Sequence, residues 1–289
     1  MAKKELNVKF RDTTLKHNFY PKYLGVTLDR SLNFKQHLGK VSAKLKTRNS
    51  IIQKLTGTTW GANAATLRTS ALSLVFSTAE YSSAVWLNSA HTSLVDAQLH
   101  HTMRLISGCL KPTPIYWLPV LSHILPPHMR RERCLGLEIQ KIRASTNLPI
   151  HEDLHDFKKT RLKSRHPPVL RFHDPAPMCN LRDSWESEWE SRSLPGDVSK
   201  LNTKTRPAGF EEPRRVWCML NRIRTGVGNC AYLWHKWNWC ESPVCPCGAA
   251  EQTVHHTVFD CPLTKYQGQV EDLTTLTIEA VQYLKTVNL

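Results

Sequence analysis

Hydrophobic and polar positions change their period near residue 30. Between residues 5 and 29 they alternate: Leu6, Val8 and Phe10 share one face, and after a polar turn Leu24, Val26 and Leu28 share another. That pattern predicts a small hairpin or sheet edge. From Phe34 the repeat lengthens. Phe34, Leu38, Val41, Leu45, Ile52 and Leu55 are spaced by threes, fours and a seven, the apolar stripe of an amphipathic helix. After the break Thr56-Gly-Thr-Thr-Trp-Gly61, a second helix is predicted from Leu67, Ala71, Leu74, Thr78 and Val85, and a third over Ser93 to Ile106. Pro112, Pro114, Pro126 and Pro127 punctuate the chain before a fourth, Arg-rich helix from about His128 to Arg143.

Residues 146–212 are polar and interrupted by Pro149, Pro167, Pro168, Pro175, Pro177, Pro195 and Pro207, with a basic cluster at Lys158, Lys159, Arg161, Lys163 and Arg165. They read as a linker in which Trp185 and Trp189, four apart, suggest a short helix over residues 183–192. Order resumes with a Val216, Leu220 and Ile223 stripe ended by Gly226 and a closing helix near Val270 to Lys285. Helical spacing and aliphatic neighbours favour burial of Trp217, Trp234 and Trp237. The expected fold is mainly α, in four parts: a short N-terminal β-hairpin in residues 1–30, a helical bundle in 31–145, the linker in 146–212, and a small helical C-terminal region in 213–289.

Composition adds a partner. Lys and Arg number 39 against 24 Asp and Glu, a net charge of +15, which attracts a polyanion, RNA or DNA first. Lys35, Lys40, Lys44, Lys46, Arg48 and Lys54 flank the first helical stripe with no acid between Asn33 and Leu55. A merely solvated face mixes signs, and this one does not. Arg130 and Arg131, opening the fourth helix, join these six as candidate nucleic-acid contacts. Ser70 to Leu87, the longest apolar stretch, contains Glu80 and reads as a buried helix rather than a membrane span. With no secretory signal after Met1, the nine Cys are expected to be reduced thiols of an intracellular protein, nuclear or cytoplasmic.

Several of those thiols point to metal chemistry. In Pro243-Val-Cys-Pro-Cys-Gly-Ala-Ala-Glu-Gln-Thr-Val-His-His-Thr-Val-Phe-Asp-Cys261, three thiolates and one imidazole can close a tetrahedron around zinc with no open position, the stoichiometry of a structural site. Gly248 suits the tight turn after Cys247. Spacing leaves two choices open, His255 against His256 and Cys240 against Cys245. The segment is too poor in aliphatic residues to hold itself, so metal binding would contribute to its folding. Catalytic signals are weak by comparison. No phosphate-binding Gly-rich loop and no nucleophile context is present. His100 and His101 read as solvent- or phosphate-facing, and His151, Glu152, Asp153, His155 and Asp156 as a solvated cluster.

Longer stretches carry a family likeness. Pro21-Lys-Tyr-Leu-Gly-Val-Thr-Leu-Asp-Arg-Ser-Leu-Asn-Phe-Lys-Gln-His37 resembles the segment after the catalytic palm in reverse transcriptases of jockey-like non-LTR (LINE) retrotransposons. The likeness continues through Lys46-Thr-Arg-Asn49, Leu55-Thr-Gly-Thr-Thr-Trp-Gly61, Leu67-Arg-Thr-Ser-Ala-Leu72, Ala79-Glu-Tyr81, Met103-Arg-Leu-Ile-Ser-Gly108 and Trp117-Leu-Pro-Val-Leu-Ser122. It returns at Leu220-Asn-Arg-Ile-Arg-Thr-Gly-Val-Gly-Asn-Cys230, Leu233-Trp-His-Lys-Trp237 and Cys261-Pro-Leu-Thr-Lys265. The resemblance implies a palm edge, a thumb that grips the template-primer duplex, and a closing zinc knuckle on Cys245, Cys247, His256 and Cys261, since the family has an acid where this chain has His255. Val227 and Asn238 depart from the family's His and Gly. The family are RNA-directed DNA polymerases, whose chemistry needs metal ions held by carboxylates, yet this sequence has no Asp-Asp pair. The expectation is a truncated polymerase fragment that binds RNA or DNA through thumb and knuckle, with no catalytic residue of its own and no activity alone. The alternative is a zinc-stabilised protein-protein interaction module without nucleic-acid binding.

Overall fold

The computed structural model describes residues 8–155, 167–173, 180–192 and 201–289. Leu6, Asp156, the basic cluster Lys158 to Arg165, Pro175, Pro177 and Pro195 lie outside them. The fold is mainly helical, with two short hairpins at the start. Strand β1 (Val8–Phe10) pairs antiparallel with β2 (Thr13–Leu15), and β3 (Lys22–Tyr23) with β4 (Val26–Thr27). The alternating pattern therefore gives two hairpins rather than one. Leu24 is not on the face expected for it, because it occupies the turn between β3 and β4 with positive φ, as Gly25 does. Such a turn matches the natural twist of the flanking strands. The Tyr81 hydroxyl donates to the Leu24 carbonyl at 2.8 Å, so two separated stretches of the family likeness meet here.

Helix α1 (Lys35–Gln53) is entered through a loop folded around one carboxylate. Asp29 Oδ1 accepts from the backbone N–H groups of Ser31 and Asn33, each at 3.1 Å, and its Oδ2 accepts from Phe34 N at 2.6 Å. Against the cost of burial, these bonds hold the Asp29 carboxyl below its ordinary value. The stripe Phe34, Leu38, Val41, Leu45 and Ile52 is buried as its spacing predicts, whereas Leu55 lies beyond the helix and is exposed. Asn49 fills the gap of seven. Its amide donates to Gln98 O at 3.0 Å, and it accepts from Thr102 Oγ1 at 2.6 Å, which ties α1 to α5 (Ser93–Ser107).

The second predicted helix is interrupted. After α2 (Ala64–Ala71) the backbone makes a π turn over Leu72–Phe76 before α3 (Ser77–Glu80) and α4 (Ser83–Trp86). A π turn adds one residue per turn, so the buried stripe advances from the expected Leu74 and Thr78 to Val75 and Ala79. Leu74 and Val85 become exposed. Helices α6 (Trp117–Ser122) and α7 (Pro127–Ala144) complete the bundle. Next come α8 (Ile150–His155), a 3-10 turn at Pro168–His173, and α9 (Leu181–Glu190). Trp185 and Trp189 of α9 are buried in the bundle's core, Trp189 edge-on to Trp117 with centroids 5.4 Å apart.

A second core gathers α10 (Arg214–Thr225), α11 (Ala231–Lys236), α12 (Val270–Thr275) and α13 (Ile278–Thr286). The single closing helix expected from the sequence is two, broken at Leu276, whose φ is positive, after which Thr277 caps α13 through Ala280 N. Helix α10 joins the cores by satisfying carbonyls at the end of α5, where helical partners run out. Arg214 donates to Ile106 O and Leu105 O, both at 2.6 Å. Trp217 Nε1 donates to Ile106 O at 2.9 Å, and the Asn221 amide to Ser107 O at 2.8 Å. Gly108 ends α5 at positive φ, and a Cβ there would lie 2.2 Å from Cys218 Sγ.

Candidate functional site

Two local backbone devices bring four metal-ligating side chains together. In the first, Cys245 O accepts from Gly248 N and Cys245 N donates to Ala249 O, both at 2.9 Å. This turn needs positive φ at Gly248, which a side chain would strain. In the second, a π turn over His256–Asp260 closes with Cys261 N donating to His256 O at 2.7 Å, which sets residues five apart on one side. Val254 and Val258, fully inside the second core, anchor that turn. Gln252 ties it to α11 by accepting from Ala231 N at 2.9 Å.

The ligand atoms of Cys245, Cys247, His256 and Cys261 all lie within 4.8 Å of one another, and the cluster can hold a metal ion. Cys245 Sγ and Cys261 Sγ are 3.8 Å apart, matching the edge of roughly 3.8 Å of a tetrahedron with metal–sulfur arms of about 2.3 Å. Cys247 Sγ is 3.2 Å from His256 Nε2. Burial pushes the Cys245 thiol up to about 11, while hydrogen bonding with Thr264 holds Cys261 down to about 6. The two alternatives left by spacing point elsewhere. His255 is exposed and pairs with Asp260 at 3.0 Å, and Cys240 Sγ faces the carbonyls of Ser242 and Ala231.

The surface beside the cluster differs from expectation. Trp217 is buried, but Trp234 is exposed, Trp237 is half-buried, and Trp239 is exposed with its ring 4.8 Å from that of Trp237. Helix α11 is too short to bury the indoles its spacing suggested. Asn238, the departure from the family's Gly, takes a left-handed backbone after α11, a conformation Asn adopts more readily than most side chains.

The eight basic candidates divide into two groups. Lys35, Lys40, Lys44 and Lys46 are exposed on α1 and Lys54 at its C-cap, and none forms an ion pair among the described residues. Lys40 Nζ donates to Thr27 Oγ1 at 3.2 Å. The remaining three are engaged inside the bundle: Arg48 donates to Leu74 O and Thr78 Oγ1, Arg130 pairs with Glu80, and Arg131 is bidentate on Asp96. Two residues outside the basic and metal-ligating candidates, Asp29 and Asn49, position α1. An Asp in the polar loop six residues before the helix start is the signal for the first; a lone polar residue on an apolar stripe is the signal for the second. His100 is partly buried and His101 exposed. Among the described residues no helix is long and apolar enough to cross a membrane.

No protein-family model matches the chain, and no solved structure matches it. Two curated relatives do. A retrovirus-related Pol polyprotein from type-1 retrotransposable element R1 of Bradysia coprophila is 20% identical over 260 residues, covering 89% of this chain and 25% of the relative. The putative 115 kDa protein in type-1 retrotransposable element R1DM of Drosophila melanogaster is 22% identical over 272 residues, again 89% of this chain and 25% of the relative. The chain thus spans about a quarter of the length of the curated relatives it matches. Their likeness along most of its length supports an origin of this chain in a LINE-type, R1-like retrotransposon.

Proposed function

We propose that this chain is the nucleic-acid-gripping part of a non-LTR retrotransposon reverse transcriptase, an RNA-directed DNA polymerase, and that it binds RNA or DNA without polymerising. The observation that carries the proposal is the lysine face of α1: five exposed ammonium groups, no acid on the helix and no ion pair among the described residues. An unneutralised row of this kind gains free energy by releasing counterions from a phosphate backbone. In this view residues 1–30 form a palm edge, 31–145 a thumb, 146–212 a connecting segment and 213–289 a region closed by a zinc knuckle. Cys245, Cys247, His256 and Cys261 would hold zinc, whose role is to tie the Gly248 turn to the π turn. Arg48, Arg130 and Arg131 are assigned to the bundle's interior rather than to the interface. The 289 residues contain no adjacent aspartate pair, and no catalytic step is assigned to them.

The test is binding to a structured RNA across a salt series. Affinity falling steeply with salt supports the proposal, and no binding at low salt overturns it. Zinc is tested separately. The purified chain is expected to carry one zinc, lost in Cys247→Ser together with the order of the last third; full retention of metal in that variant refutes the ligand set. Primer extension by the purified chain would contradict the noncatalytic assignment. A second reading, an interaction module without nucleic-acid binding, is favoured by the exposed side chains of the N-terminal hairpins, Phe10 at 63% and Tyr23 at 69%; it requires the RNA experiment to fail.

A further inference from the structure

Between α5, α7 and α9 lies a cleft of about 390 Å³, within the roughly 300–1,000 Å³ typical of small-ligand sites. Neither the lysine face nor the metal cluster uses it. Its walls are apolar: the buried indoles of Trp185 and Trp189 edge it from α9, and half-buried Tyr116 stands beside them. Four polar side chains meet there: His100 from α5, His128 from the start of α7, Glu188 from α9, and Arg192 two residues past its end. The Arg192 guanidinium lies over the Tyr116 ring, 5.1 Å from its centroid. Glu188 Oε1 lies 3.6 Å from His128 Nε2, within ion-pair range but longer than a hydrogen bond, and the half-exposed carboxylate retains lone pairs for a ligand's donors. Burial, reinforced by Arg104 and Arg131 against the opposing pull of Asp96, holds His100 below its ordinary value, and it faces the cleft as a neutral imidazole.

Apolar walls, a cation at the rim and a half-exposed carboxylate together specify a ligand. It needs a planar ring, an anionic group and N–H donors aimed at one carboxylate. A nucleotide has the first two, and its base decides the third. Guanine sets N1–H beside its 2-amino group on one edge, two donors for two carboxylate oxygens. Adenine and cytosine set an amino group beside a ring-nitrogen acceptor, and uracil has one N–H between two carbonyls. We propose that this cleft binds a guanine nucleotide, its base against the α9 indoles with N1–H and the 2-amino group donating to Glu188, and its phosphate meeting Arg192. The nucleotide is either free or an unpaired guanosine of a single strand, and both offer the same chemistry. The site is independent of the α1 lysine face.

Calorimetric titration of the full chain with GMP, AMP, and the single-stranded pentamers UUGUU and UUAUU tests this. The guanine ligand is expected to bind roughly tenfold more tightly than its adenine counterpart, the discrimination of one bidentate contact. Glu188→Gln removes that preference without moving the melting temperature, because Glu188 is half exposed, and Arg192→Ala weakens guanine and adenine ligands alike. GMP binding better than UUGUU identifies a free nucleotide; the reverse identifies a strand-borne base. The proposal is overturned if neither GMP nor UUGUU binds at millimolar concentration, if the guanine preference survives Glu188→Gln, or if a proline-rich peptide fills the cleft in place of GMP.

Discussion

Helices α1 and α10 are both dense in cations and use them in opposite ways. The lysines of α1 stand in solvent, and among the described residues no acid pairs with them. On α10, Arg214, Arg222 and Arg224 are buried, and their guanidinium groups donate to the carbonyls of Ile106, Leu105, Leu289 and Ala208 and to Asn221 Oδ1. Residue chemistry explains the division. A guanidinium is planar, weakly hydrated and able to satisfy several fixed acceptors at once, whereas an ammonium is a compact, strongly hydrated charge that stays at the surface. Burial holds Arg224 down to about 9 and lowers Arg214 as well, and neither has an ion-pair partner among the described residues. The net charge of +15 therefore overstates what faces a polyanion, and only where each cation sits tells the two uses apart.

The sharpest way to break this comparison is Arg214→Ala. It leaves the carbonyls of Leu105 and Ile106 without their donors inside the junction of the two cores, and a cost of about 3 kcal/mol is expected, since each charged hydrogen bond contributes roughly 1.5–3. Urea unfolding measures it, and the salt dependence of RNA binding should not change. A loss of RNA affinity at unchanged stability would move Arg214 to the other class. Arg131→Ala comes next. Removing it strands the part-buried Asp96 carboxylate, at an expected cost of about 2 kcal/mol, below the range for fully buried pairs because Asp96 retains some solvent. Here too the thermal midpoint should fall while the salt slope stays constant.

How far the sequence foretells these roles depends on what sets each one. Periodicity places α1, α5 and α7 to within a residue or two, because a long apolar stripe repeats enough times to average out local exceptions. It fails where one backbone event shifts the register, as at the π turn of Leu72–Phe76, or where one residue interrupts a long pattern, as Leu276 does between α12 and α13. The metal-ligating cluster is legible as a set of donors, but spacing alone leaves its membership open, and it is the family likeness that names His256 and Cys245. Whether His255 or His256 turns inward depends on the phase of the π turn, which the spacing of Cys and His alone leaves free. The engagement of Arg130 and Arg131 is equally hidden, because Glu80 and Asp96 are 50 and 35 residues away in the chain.

A smaller effect sharpens the other side of the comparison. In the double variant Lys44→Glu, Lys46→Glu, two exposed cations of α1 become anions with no lost packing, and stability should stay within about 0.5 kcal/mol. RNA affinity at low salt should fall by roughly tenfold, and the slope of log affinity against log salt should lessen by about 1 to 2, near 0.9 for each lost phosphate contact. A salt titration by fluorescence anisotropy measures both. An unchanged slope would place the polyanion somewhere other than α1.

The smallest expected effect lies beneath those lysines. His37 is buried where α1 meets β4; its Nδ1 accepts from Thr27 N at 3.3 Å, and its Nε2 has no partner among the described residues. Burial first, then Lys44 and Lys40, holds its imidazole below the ordinary 6.5. A histidine depressed in the folded state takes up its proton more readily when unfolded. Its neutral form therefore contributes fully above about pH 6.5, and that contribution is lost as pH falls through the lower folded value. The chain should lose stability between pH 7.5 and 5.5, and His37→Gln, which cannot protonate, should lose less over the same interval. Comparing the two proteins at each pH removes the acid release of a thiolate-bound metal, which is common to both. Because Lys40 and Lys44 help to depress His37, the lysine variant should also show a shallower acid loss, so the exposed charges of α1 reach the core through this one buried ring. Identical acid profiles for wild type and His37→Gln would sever that link.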